Sequence, residues 1–481
     1  MQIPQTYGHF IGGEFQAPAS GEYLDSINPA NGTLAARIAK GTSADVDASV
    51  AAAKAAAAEW AALRPLERGR ILTDLGRKLR DNIGLLAQLE SAEMGAPVAA
   101  AAMLLGTAAA YFEYYGGLAP SLQGETIPVG PDQHSYTVYE PYGVVGVITP
   151  WNAPLNQSAR SIAPALAAGN CIVHKPSEYT SVTALVFARL AVDAGLPAVV
   201  WNVITGLGTD TGEALVAHTD VGKIAFTGSV RTGQAIGAIA ANKVMAVTLE
   251  LGGKSPNIVL EDADLQAATM GVLLGFVANS GQVCLAGSRV LIQRSIYEQF
   301  SQMLAGAAQH IPLGCDKPMP TLGPIANQDQ YEKVLSYFEV AKEDGATLLT
   351  GGEKAEGEGL DNGYYIKPTI YGDVSNDMRI AREEIFGPIG VLIPFDTEEE
   401  AIAIANDTEY GLAAGIWTQN LGRAHRVASR VQAGQIYVNY YLEGSVEHPL
   451  GGYKKSGIGR EKGMVALKQY AQLKNISIKL T

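Results

Sequence analysis

Cys284 could carry covalent chemistry, because its thiol becomes a nucleophile once it ionises. It stands in residues 280–287 (SGQVCLAG), where the glycines let the backbone approach a ligand and can free an amide N–H for an oxyanion. A cysteine in an apolar setting is, however, more often buried packing. This segment alone therefore leaves two interpretations open, a nucleophile and a core residue.

Two other segments carry groups that a cysteine nucleophile needs. Glu250 ends a predicted strand and precedes a Gly-Gly turn, where a carboxylate can act as a general base. Asn152 follows another predicted strand at its carboxyl end, the edge of an α/β sheet at which ligands bind. Its side-chain amide can donate to an oxyanion. A base and an oxyanion donor are groups that covalent catalysis at Cys284 would need, and core packing of Cys284 is the alternative.

The elements that must position these residues indicate an α/β fold. Between residues 143 and 250, short apolar runs alternate with helix-length segments, which predicts a parallel sheet with helices on both faces. The runs are residues 144–149, 171–175, 199–205, 223–227 and 246–250. A second alternating region, with a predicted helix over 265–279 and strand-like runs at 289–293, 365–371 and 390–395, predicts a second α/β domain.

Two β-rich pieces lie outside this alternation. Residues 120–141, punctuated by Pro and Gly, predict a hairpin, and residues 473–480 (LKNISIKL) alternate like an exposed strand. Unpaired edge strands invite partners. We therefore expect the two pieces to form one small β element that another subunit completes.

Length and composition indicate a folded protein of more than one domain. A chain of 481 residues exceeds the usual size of a single hydrophobic core, so we expect two large domains. Its 47% of hydrophobic residues, 54 glycines and 23 prolines are typical of a loop-rich α/β protein and exclude a disordered chain. The net charge of −13 and the lack of a basic tract argue against a nucleic-acid partner.

The sequence predicts neither secretion nor membrane insertion. The most apolar stretch, residues 98–112, is shorter than the roughly 18 to 20 residues of a membrane span, so we expect a buried helix. The first 15 residues lack the pattern of a secretory signal, and neither end carries a lipidation motif. Cys171, Cys284 and Cys315 form neither a disulfide framework nor a spaced metal site. They suit a reducing cytoplasm, where we expect a protein without a bound metal.

Seven ordered blocks of the sequence resemble the aldehyde dehydrogenase superfamily, nearly from end to end. They are residues 149–154 (TPWNAP), 175–178 (KPSE), 226–229 (FTGS), 250–256 (ELGGKSP), 280–287 (SGQVCLAG), 383–388 (EEIFGP) and 449–457 (PLGGYKKSG). The resemblance implies a Rossmann-like NAD-binding domain of residues 1–119 and 142–252, a catalytic domain of residues 253–455, and an oligomerisation β element of residues 120–141 and 465–481. It also implies a homodimer or a homotetramer.

The resemblance assigns a role to each member of the first constellation. It implies that Cys284 is the nucleophile, that Asn152 and the Cys284 amide form the oxyanion hole, and that Glu250 activates the hydrolytic water. Attack by the thiolate on an aldehyde carbon gives a tetrahedral oxyanion; departure of a hydride to the nicotinamide leaves a thioester, which water releases as an acid. Relatives that acylate CoA generally lack this glutamate, so Glu250 favours hydrolysis. A non-catalytic relative would have lost one of these three residues.

The resemblance also implies how the adenosine end of a cofactor is held. Lys175 and Glu178 match positions that bind the adenosine ribose. Because a carboxylate that accepts both ribose hydroxyls repels a 2′-phosphate, we expect NAD rather than NADP. Without the resemblance, residues 175–178 indicate only a Pro-containing turn that opens a helix.

Other cofactor positions follow from the same resemblance. Gly228 and Ser229 open a helix whose N-terminus could seat the pyrophosphate. Glu384 matches the residue that binds the nicotinamide ribose, and Phe386 the residue beside the nicotinamide; a surface acid and a core aromatic are their alternatives. The expected cofactor-binding residues are Ile148, Thr149, Trp151, Lys175, Glu178, Gly208, Gly228, Ser229, Glu384 and Phe386.

Small residues stand where family members acting on small aliphatic aldehydes often carry bulky aromatics. They are Ala153, Ala278 and Gly444, and with Val283 beside the nucleophile they are the expected channel lining. The missing aromatic volume predicts a wide channel. We therefore expect a bulky aromatic aldehyde of the benzaldehyde or vanillin type.

Arg160 predicts a polar group on the substrate. It lies eight residues after Asn152, where the succinate-semialdehyde branch and some aromatic-aldehyde enzymes are similar in having Arg. A guanidinium there could hold a carboxylate or a phenolic oxygen, and an ion pair within a helix bundle is the alternative. A carboxylate-bearing semialdehyde is therefore the alternative substrate. Further polar wall residues, or else surface residues, are Asn156, Tyr440, Tyr441 and Glu443.

Overall fold

The structure is a computed structural model that describes residues 5–317, 319, 321–442 and 444–480. Glu443, one of the expected polar wall residues, lies outside the described residues. The strands, numbered in chain order, are β1 (Thr6–Tyr7), β2 (His9–Ile11), β3 (Glu14–Gln16), β4 (Tyr23–Ile27), β5 (Leu34–Ala39), β6 (Thr126–Ile127), β7 (Gln133–Pro141), β8 (Val144–Ile148), β9 (Cys171–Lys175), β10 (Trp201–Val203), β11 (Val221–Thr227), β12 (Ala246–Glu250), β13 (Pro256–Val259), β14 (Arg289–Gln293), β15 (Thr347–Thr350), β16 (Thr369–Gly372), β17 (Ile389–Phe395), β18 (Ala413–Trp417), β19 (Gln435–Val438), β20 (Gly457–Ile458) and β21 (Ala471–Lys479).

The α-helices connect and cover these strands. In chain order they are α1 (Ser43–Ala62), α2 (Pro65–Asp81), α3 (Ile83–Met94), α4 (Val98–Leu118), α5 (Pro154–Ala167), α6 (Val182–Asp193), α7 (Glu213–Ala217), α8 (Val230–Lys243), α9 (Leu265–Val277), α10 (Tyr297–Gln309), α11 (Gln328–Glu343), α12 (Arg379–Arg382), α13 (Glu398–Asn406), α14 (Leu421–Arg430) and α15 (Gly463–Gln469). Within the described part of the chain, no single helix is long and apolar enough to cross a membrane; one bent pair, Ile83–Met94 with Val98–Ser121, meets the length and composition test.

The first sheet has eight strands in the order β20-β12-β11-β8-β9-β10-β2-β3. Its five central strands are parallel, which confirms the predicted parallel sheet, and the outer strands β20, β2 and β3 pair antiparallel. Helices α1, α5, α6 and α8 pack against it. Because the central strands are parallel, their carboxyl ends meet at one edge. Ile148 pairs with Lys175 there, and Thr227 pairs with Glu250.

The second sheet has seven strands in the order β15-β16-β17-β14-β13-β18-β19, and all its pairings except that of β15 are parallel. This confirms the predicted second α/β region. The predicted helix over residues 265–279 ends at Val277, because Asn279 and Ser280 adopt left-handed backbone conformations. That turn carries the chain toward Cys284.

The two β-rich pieces form one three-stranded sheet, as predicted. Strand β21 pairs antiparallel with β7 over nine residues, and β6 pairs with the other edge of β7. A fourth sheet, β1-β5-β4, lies near the N-terminus. Strand β20 lies beyond residue 455 and still extends the first sheet. The domain bounds and the completion of the β element by another subunit stay predictions.

Candidate active site

The first sheet supplies one wall of the site from its carboxyl edge. Asn152 lies in the loop between β8 and α5, and Glu250 is the last residue of β12. Both side chains are buried, with 5% and 4% of their residue surface exposed. An amide donor and a carboxylate are therefore fixed at one edge of the sheet, on strands that β11 separates, and are buried away from bulk water.

The second wall is a loop whose backbone is held in an unusual conformation. Three consecutive residues after α9 have positive φ angles: Asn279 (51°), Ser280 (56°) and Gly281 (74°). A Cβ on Gly281 would lie 2.0 Å from the carbonyl oxygen of Gly387, so only glycine fits at this approach. The loop places Cys284 opposite the sheet edge, and positive φ angles at non-glycine residues mark stored backbone strain.

Hydrogen bonds join the two walls. Asn152 Nδ2 donates to the Gln282 carbonyl oxygen at 2.8 Å, and Asn279 Nδ2 donates to the Asn152 carbonyl oxygen at 2.7 Å. The Asn152 amide carries a second N–H, which a substrate oxyanion can accept. The nucleophile loop and the candidate oxyanion donor are thus held as one unit.

Eight of the predicted site residues line one cavity between these walls: Trp151, Asn152, Gly228, Ser229, Glu250, Cys284, Glu384 and Phe386. The Trp151 and Phe386 rings meet edge to face with centroids 5.4 Å apart. Phe386 itself has a φ of 62°. The sequence therefore predicts these eight cavity residues, which come from segments beside both large sheets.

Burial controls the two reactive groups. It raises the pKa of the Cys284 thiol to about 11, and the Arg160 guanidinium opposes that rise, while the carboxylates of Glu384 and Glu250 add to it. Burial also raises the pKa of Glu250 well above its ordinary value, again against Arg160. Glu250 Oε1 is buried without a hydrogen-bond partner among the described residues. A raised pKa makes the Glu250 carboxylate a stronger base, and its unused oxygen is free to accept a proton from water.

Glu384 is held by neighbours that sequence reasoning missed. Its Oε1 accepts from the Gly253 amide at 2.9 Å, and Lys333 Nζ donates to its carbonyl oxygen at 2.9 Å. Gln330 Nε2 donates to the carbonyl oxygens of residues 385 and 386, both at 2.9 Å. Gln330 and Lys333 line the cavity one turn apart on α11. Their spacing on a helix does not say which turn of α11 meets the cleft.

The surroundings of the cavity fit a dinucleotide. Lys175 ends β9 and is buried, with its Nζ 3.6 Å from the half-buried carboxylate of Glu178, so the pair presents a cation and an acceptor at the sheet edge. Burial lowers the pKa of Lys175, and Glu178 opposes that change. Ser229 caps α8 by accepting from the Thr232 amide at 3.2 Å, which leaves the first N–H groups of α8 for an anion. These are the groups that a ribose and a pyrophosphate require.

Other predicted residues lie outside the cavity. Ile148 is buried in β8, and the Thr149 hydroxyl lies 2.9 Å from His174 Nε2 inside the fold. Gly208 opens a short helical turn over residues 208–212. Val283 faces a separate small space beside Phe386. Their roles in binding stay predictions.

The remaining substrate positions surround the nucleophile loop and the start of α5. Ala153 is the N-cap residue of α5 and is 7% exposed, while Ala278 is the first residue after α9 and is partly exposed. Gly444 is exposed, and a Cβ there would lie 3.6 Å from Lys462 Nζ. Lys462 was missed because nothing in the spacing places it near residue 444.

Two cations stand in this region. Arg160 is buried in α5, and its Nη2 donates to the Thr227 hydroxyl at 2.8 Å. Burial lowers the pKa of Arg160, but the carboxylates of Glu250 and Glu461 outweigh burial and raise it. Burial and the neighbouring Arg160 lower the pKa of Lys462 to about 8. Arg160 does not line the cavity itself. Its guanidinium donates to Thr227, which does line the cavity.

Two of the remaining expected polar wall residues, Asn156 and Tyr441, make internal hydrogen bonds. Asn156 Nδ2 donates to the Leu104 carbonyl oxygen at 3.0 Å, and the Tyr441 hydroxyl donates to the Leu285 carbonyl oxygen at 2.7 Å. Tyr440 is exposed. Tyr441 thus holds the residue next to Cys284.

Comparison with known proteins agrees with this geometry. The family model described as "Aldehyde dehydrogenase family" matches residues 15–476. The chain is similar to an aldehyde dehydrogenase from Bacillus cereus solved as an NAD+ complex, with 42% identity, a TM-score of 0.97, and coverage of 100% of this chain and 98% of that one. It is also similar to betaine aldehyde dehydrogenase from Staphylococcus aureus in complex with NAD+, with 37% identity, a TM-score of 0.97, and coverage of 99% and 95%.

The chain therefore belongs to the aldehyde dehydrogenase family and has its fold. It is an NAD-dependent oxidoreductase that acts on aldehydes, and NAD is its cofactor. The cavity between Cys284 and Phe386 is the place where the described residues bring the required groups together.

Proposed function

We propose that this enzyme oxidises a bulky aromatic aldehyde to the carboxylic acid through a thioester on Cys284. The observation that carries the chemical part is the convergence of Cys284, Asn152 and Glu250 on one cavity that Glu384 and Phe386 also line. A nucleophile, an oxyanion donor and a base at one point are what acyl transfer through a covalent intermediate requires.

The residues divide the reaction between them. Cys284 Sγ, once ionised, attacks the aldehyde carbon, and the Asn152 amide and the Cys284 N–H stabilise the oxyanion that forms. Bound NAD supplies the hydride acceptor, and Glu384, Phe386, Lys175, Glu178 and the N-terminus of α8 would hold it. Glu250 then takes a proton from water, which attacks the thioester carbon and releases the acid and the thiolate.

Glu250 favours water over CoA as the acyl acceptor. Its carboxyl is buried beside the nucleophile with an oxygen that no described group uses. A thiol acceptor such as CoA does not need that base, so a CoA-acylating enzyme would tolerate its loss. Turnover without added CoA, together with its collapse in Glu250→Gln, supports the hydrolytic assignment; turnover that requires CoA would overturn it.

The size of the substrate is argued from Ala153, Ala278 and Gly444. None of these side chains extends beyond a methyl group, so the approach to Cys284 keeps the volume that an aromatic ring needs. Arg160 can contribute a charge-assisted hydrogen bond to a ring hydroxyl if it turns from Thr227.

A carboxylate-bearing semialdehyde is the second candidate, and a specific observation favours it. Two cationic side chains, Arg160 and Lys462, lie near the expected channel, and Lys462 Nζ is beside Gly444. Cations attract a carboxylate and repel a quaternary ammonium group. We therefore propose that betaine aldehyde, the substrate named for the similar Staphylococcus aureus enzyme, is a poor substrate here.

The test is to measure NADH formation with benzaldehyde, succinate semialdehyde, betaine aldehyde and acetaldehyde. We expect benzaldehyde to give the highest kcat/KM. Gly444→Phe should lower that value several-fold while leaving acetaldehyde turnover nearly unchanged. If only acetaldehyde is oxidised efficiently, the argument from channel size fails.

The second candidate is tested with Lys462→Met and a matched control, Lys468→Met, which removes an exposed lysine from α15, the helix that Lys462 directly precedes. If the semialdehyde is the substrate, Lys462→Met raises its KM roughly tenfold more than it raises the KM of benzaldehyde. Lys468→Met should change neither. Equal effects of the two substitutions would remove the support for an anionic substrate.

We also propose a cytoplasmic homo-oligomer, a homodimer or a homotetramer. Three free cysteines support a reducing compartment, and the exposed apolar side chains Leu473 and Ile478 on β21 support a subunit contact along the β element. Light scattering after size exclusion measures the state. A monomer at micromolar concentration would contradict the proposal.

A further inference from the structure

Two glutamates that the reaction does not use are buried one helical turn apart on α3. Glu90 and Glu93 are 0% and 2% exposed, and neither has an arginine, lysine or histidine in an ion pair among the described residues. Burying a carboxyl without a cation is costly unless its oxygens accept hydrogen bonds. The bonds that they accept come from two other helices.

Glu90 caps the helix that follows the oxyanion donor. Its Oε1 accepts from the Leu155 amide at 2.9 Å, in the first turn of α5. The N-cap residue of α5 is Ala153, which has no side-chain oxygen to satisfy that turn. Asn152 is the residue immediately before this N-cap. Glu90 therefore fixes the exit of the loop that aims the Asn152 amide.

Glu93 caps α6, the helix that follows Lys175 and Glu178. Its Oε2 and Oε1 accept from the Val182 amide at 2.9 and 3.2 Å, at the start of α6. Ser181, the N-cap residue, donates its hydroxyl to the Ser177 carbonyl oxygen instead of capping the helix. Glu93 therefore anchors the segment between Lys175 and α6 at the end that joins α6.

Ser26 extends this support to the residue next to Glu178. Its hydroxyl lies 3.3 Å from Glu93 Oε1 and 3.1 Å from the Tyr179 carbonyl oxygen, and the side chain is buried. Ser26 of β4 thus links Glu93 of α3 to Tyr179, the residue that follows the Lys175–Glu178 segment. Nothing in this cluster touches the cavity itself.

We infer that Glu90 and Glu93 are positioning residues with separate targets. Glu90 fixes the position of Asn152, the proposed oxyanion donor. Glu93 fixes the position of Lys175–Glu178, the segment proposed to bind the adenosine ribose. The arrangement also frees residue 153 from capping, because Glu90 supplies the acceptor from another helix. Ala153 can then be small where the channel needs space. The inference rests on the proposed roles of Asn152 and Glu178.

The experiment compares Glu90→Met and Glu93→Met, which keep most of the side-chain volume but remove the acceptor, with Glu90→Gln and Glu93→Gln, which keep a carbonyl oxygen. Gln88→Ala, an exposed change on the same helix, is the control. We measure kcat and the aldehyde KM at saturating NAD, the Kd for NAD by fluorescence quenching, and the Tm of each protein. Glutamine keeps one acceptor oxygen for the Leu155 or Val182 amide, so its variants keep the test valid if a methionine variant does not fold.

We expect Glu90→Met to lower kcat by up to about 10²-fold with little change in the Kd for NAD, since a small misplacement of a catalytic group has that effect. Glu93→Met should raise the Kd for NAD roughly tenfold with a smaller change in kcat. Each glutamine variant should recover most of its loss. Parallel losses in both parameters, or a lowered Tm with unchanged kinetics, would overturn the inference.

Asn152→Ala and Glu178→Ala separate failure of this inference from failure of the proposed function. If Asn152→Ala leaves kcat unchanged, the proposed oxyanion role is wrong. If it lowers kcat while Glu90→Met does not, the oxyanion role stands and the positioning role of Glu90 is wrong. Glu178→Ala and Glu93→Met are compared in the same way. If Glu178→Ala leaves the Kd for NAD unchanged, the proposed ribose role is wrong. If it raises the Kd while Glu93→Met does not, the ribose role stands and the positioning role of Glu93 is wrong.

Discussion

The two walls of the active-site cavity are built in opposite ways. Glu250 is the last residue of the regular parallel strand β12, and Asn152 lies in the loop that follows the regular parallel strand β8. Cys284 and Phe386 lie on loops where several residues hold positive φ angles. The hydrogen bonds of the whole sheet fix the position of a residue at a strand end. A strained loop, in contrast, keeps its conformation only as long as the opposing loop packs against it. The nucleophile is therefore on the wall that small changes disturb most.

Removing the nucleophile should have the largest effect. Cys284→Ala deletes the atom that forms the thioester, so we expect aldehyde oxidation to fall by at least on the order of 10⁴-fold. NAD binding should remain, because the cofactor-holding groups are elsewhere on both walls. Steady-state NADH formation and NAD titration measure the two quantities. Oxidation that persists at a tenth of the original rate would contradict covalent catalysis.

Removing the base from the regular wall should stop the reaction one step later. In Glu250→Gln the thioester still forms, but its hydrolysis loses a general base, which contributes about 10²- to 10⁴-fold. We expect a burst of NADH of one equivalent per site followed by slow turnover. Stopped-flow absorbance resolves the burst. Loss of the burst itself would show that Glu250 is needed for thioester formation, the step before hydrolysis.

The strained wall can be tested without touching a reactive group. Gly281→Ala places a Cβ 2.0 Å from the Gly387 carbonyl oxygen at a φ of 74°, so the loop must shift. We expect a loss in kcat on the order of 10²-fold and a loss of about 1–3 kcal/mol in the free energy of unfolding. Gly84→Ala is the control, since no heavy atom lies within 4 Å of its Cβ. Similar kinetics for both variants would show that the loop tolerates displacement.

The same contrast explains what could be predicted from the sequence. The bounds of β9 and β12 agree with the predicted strands, because buried parallel strands appear as apolar runs. The end of α9 does not, since the left-handed turn at Asn279 is fixed by packing of Gly281 against another loop. Local pattern carries no information on such a contact.

The site follows the same rule. Cys284, Asn152 and Glu250 were found because they belong to blocks of recognisable sequence, whereas Gln330, Lys333 and Glu90 act from the faces of ordinary helices. For Arg160 the sequence left a choice between a substrate contact and an internal one. The structure shows a hydrogen bond to Thr227, which lines the cavity. Whether a helical side chain reaches a cleft depends on helix packing, which spacing does not encode.

The smallest predicted effect concerns how each wall responds to pH. Burial raises the pKa of the Cys284 thiol to about 11, so the thiolate fraction of the free enzyme at pH 7 is on the order of 10⁻⁴ and rises about tenfold per pH unit up to that value. Alkylation by iodoacetamide, which reports the thiolate, should therefore rise with this slope between pH 7 and 9.

Arg160, which donates to Thr227 of the regular wall, opposes this rise, so Arg160→Met should slow alkylation further between pH 7 and 9. Glu250→Gln should speed it slightly, because the Glu250 carboxylate raises the pKa of Cys284. An alkylation rate that levels off below pH 8 would show that the thiol ionises near neutral pH in the free enzyme. Burial would then raise the pKa of the Cys284 thiol less than the half-buried position of this residue in the cavity implies.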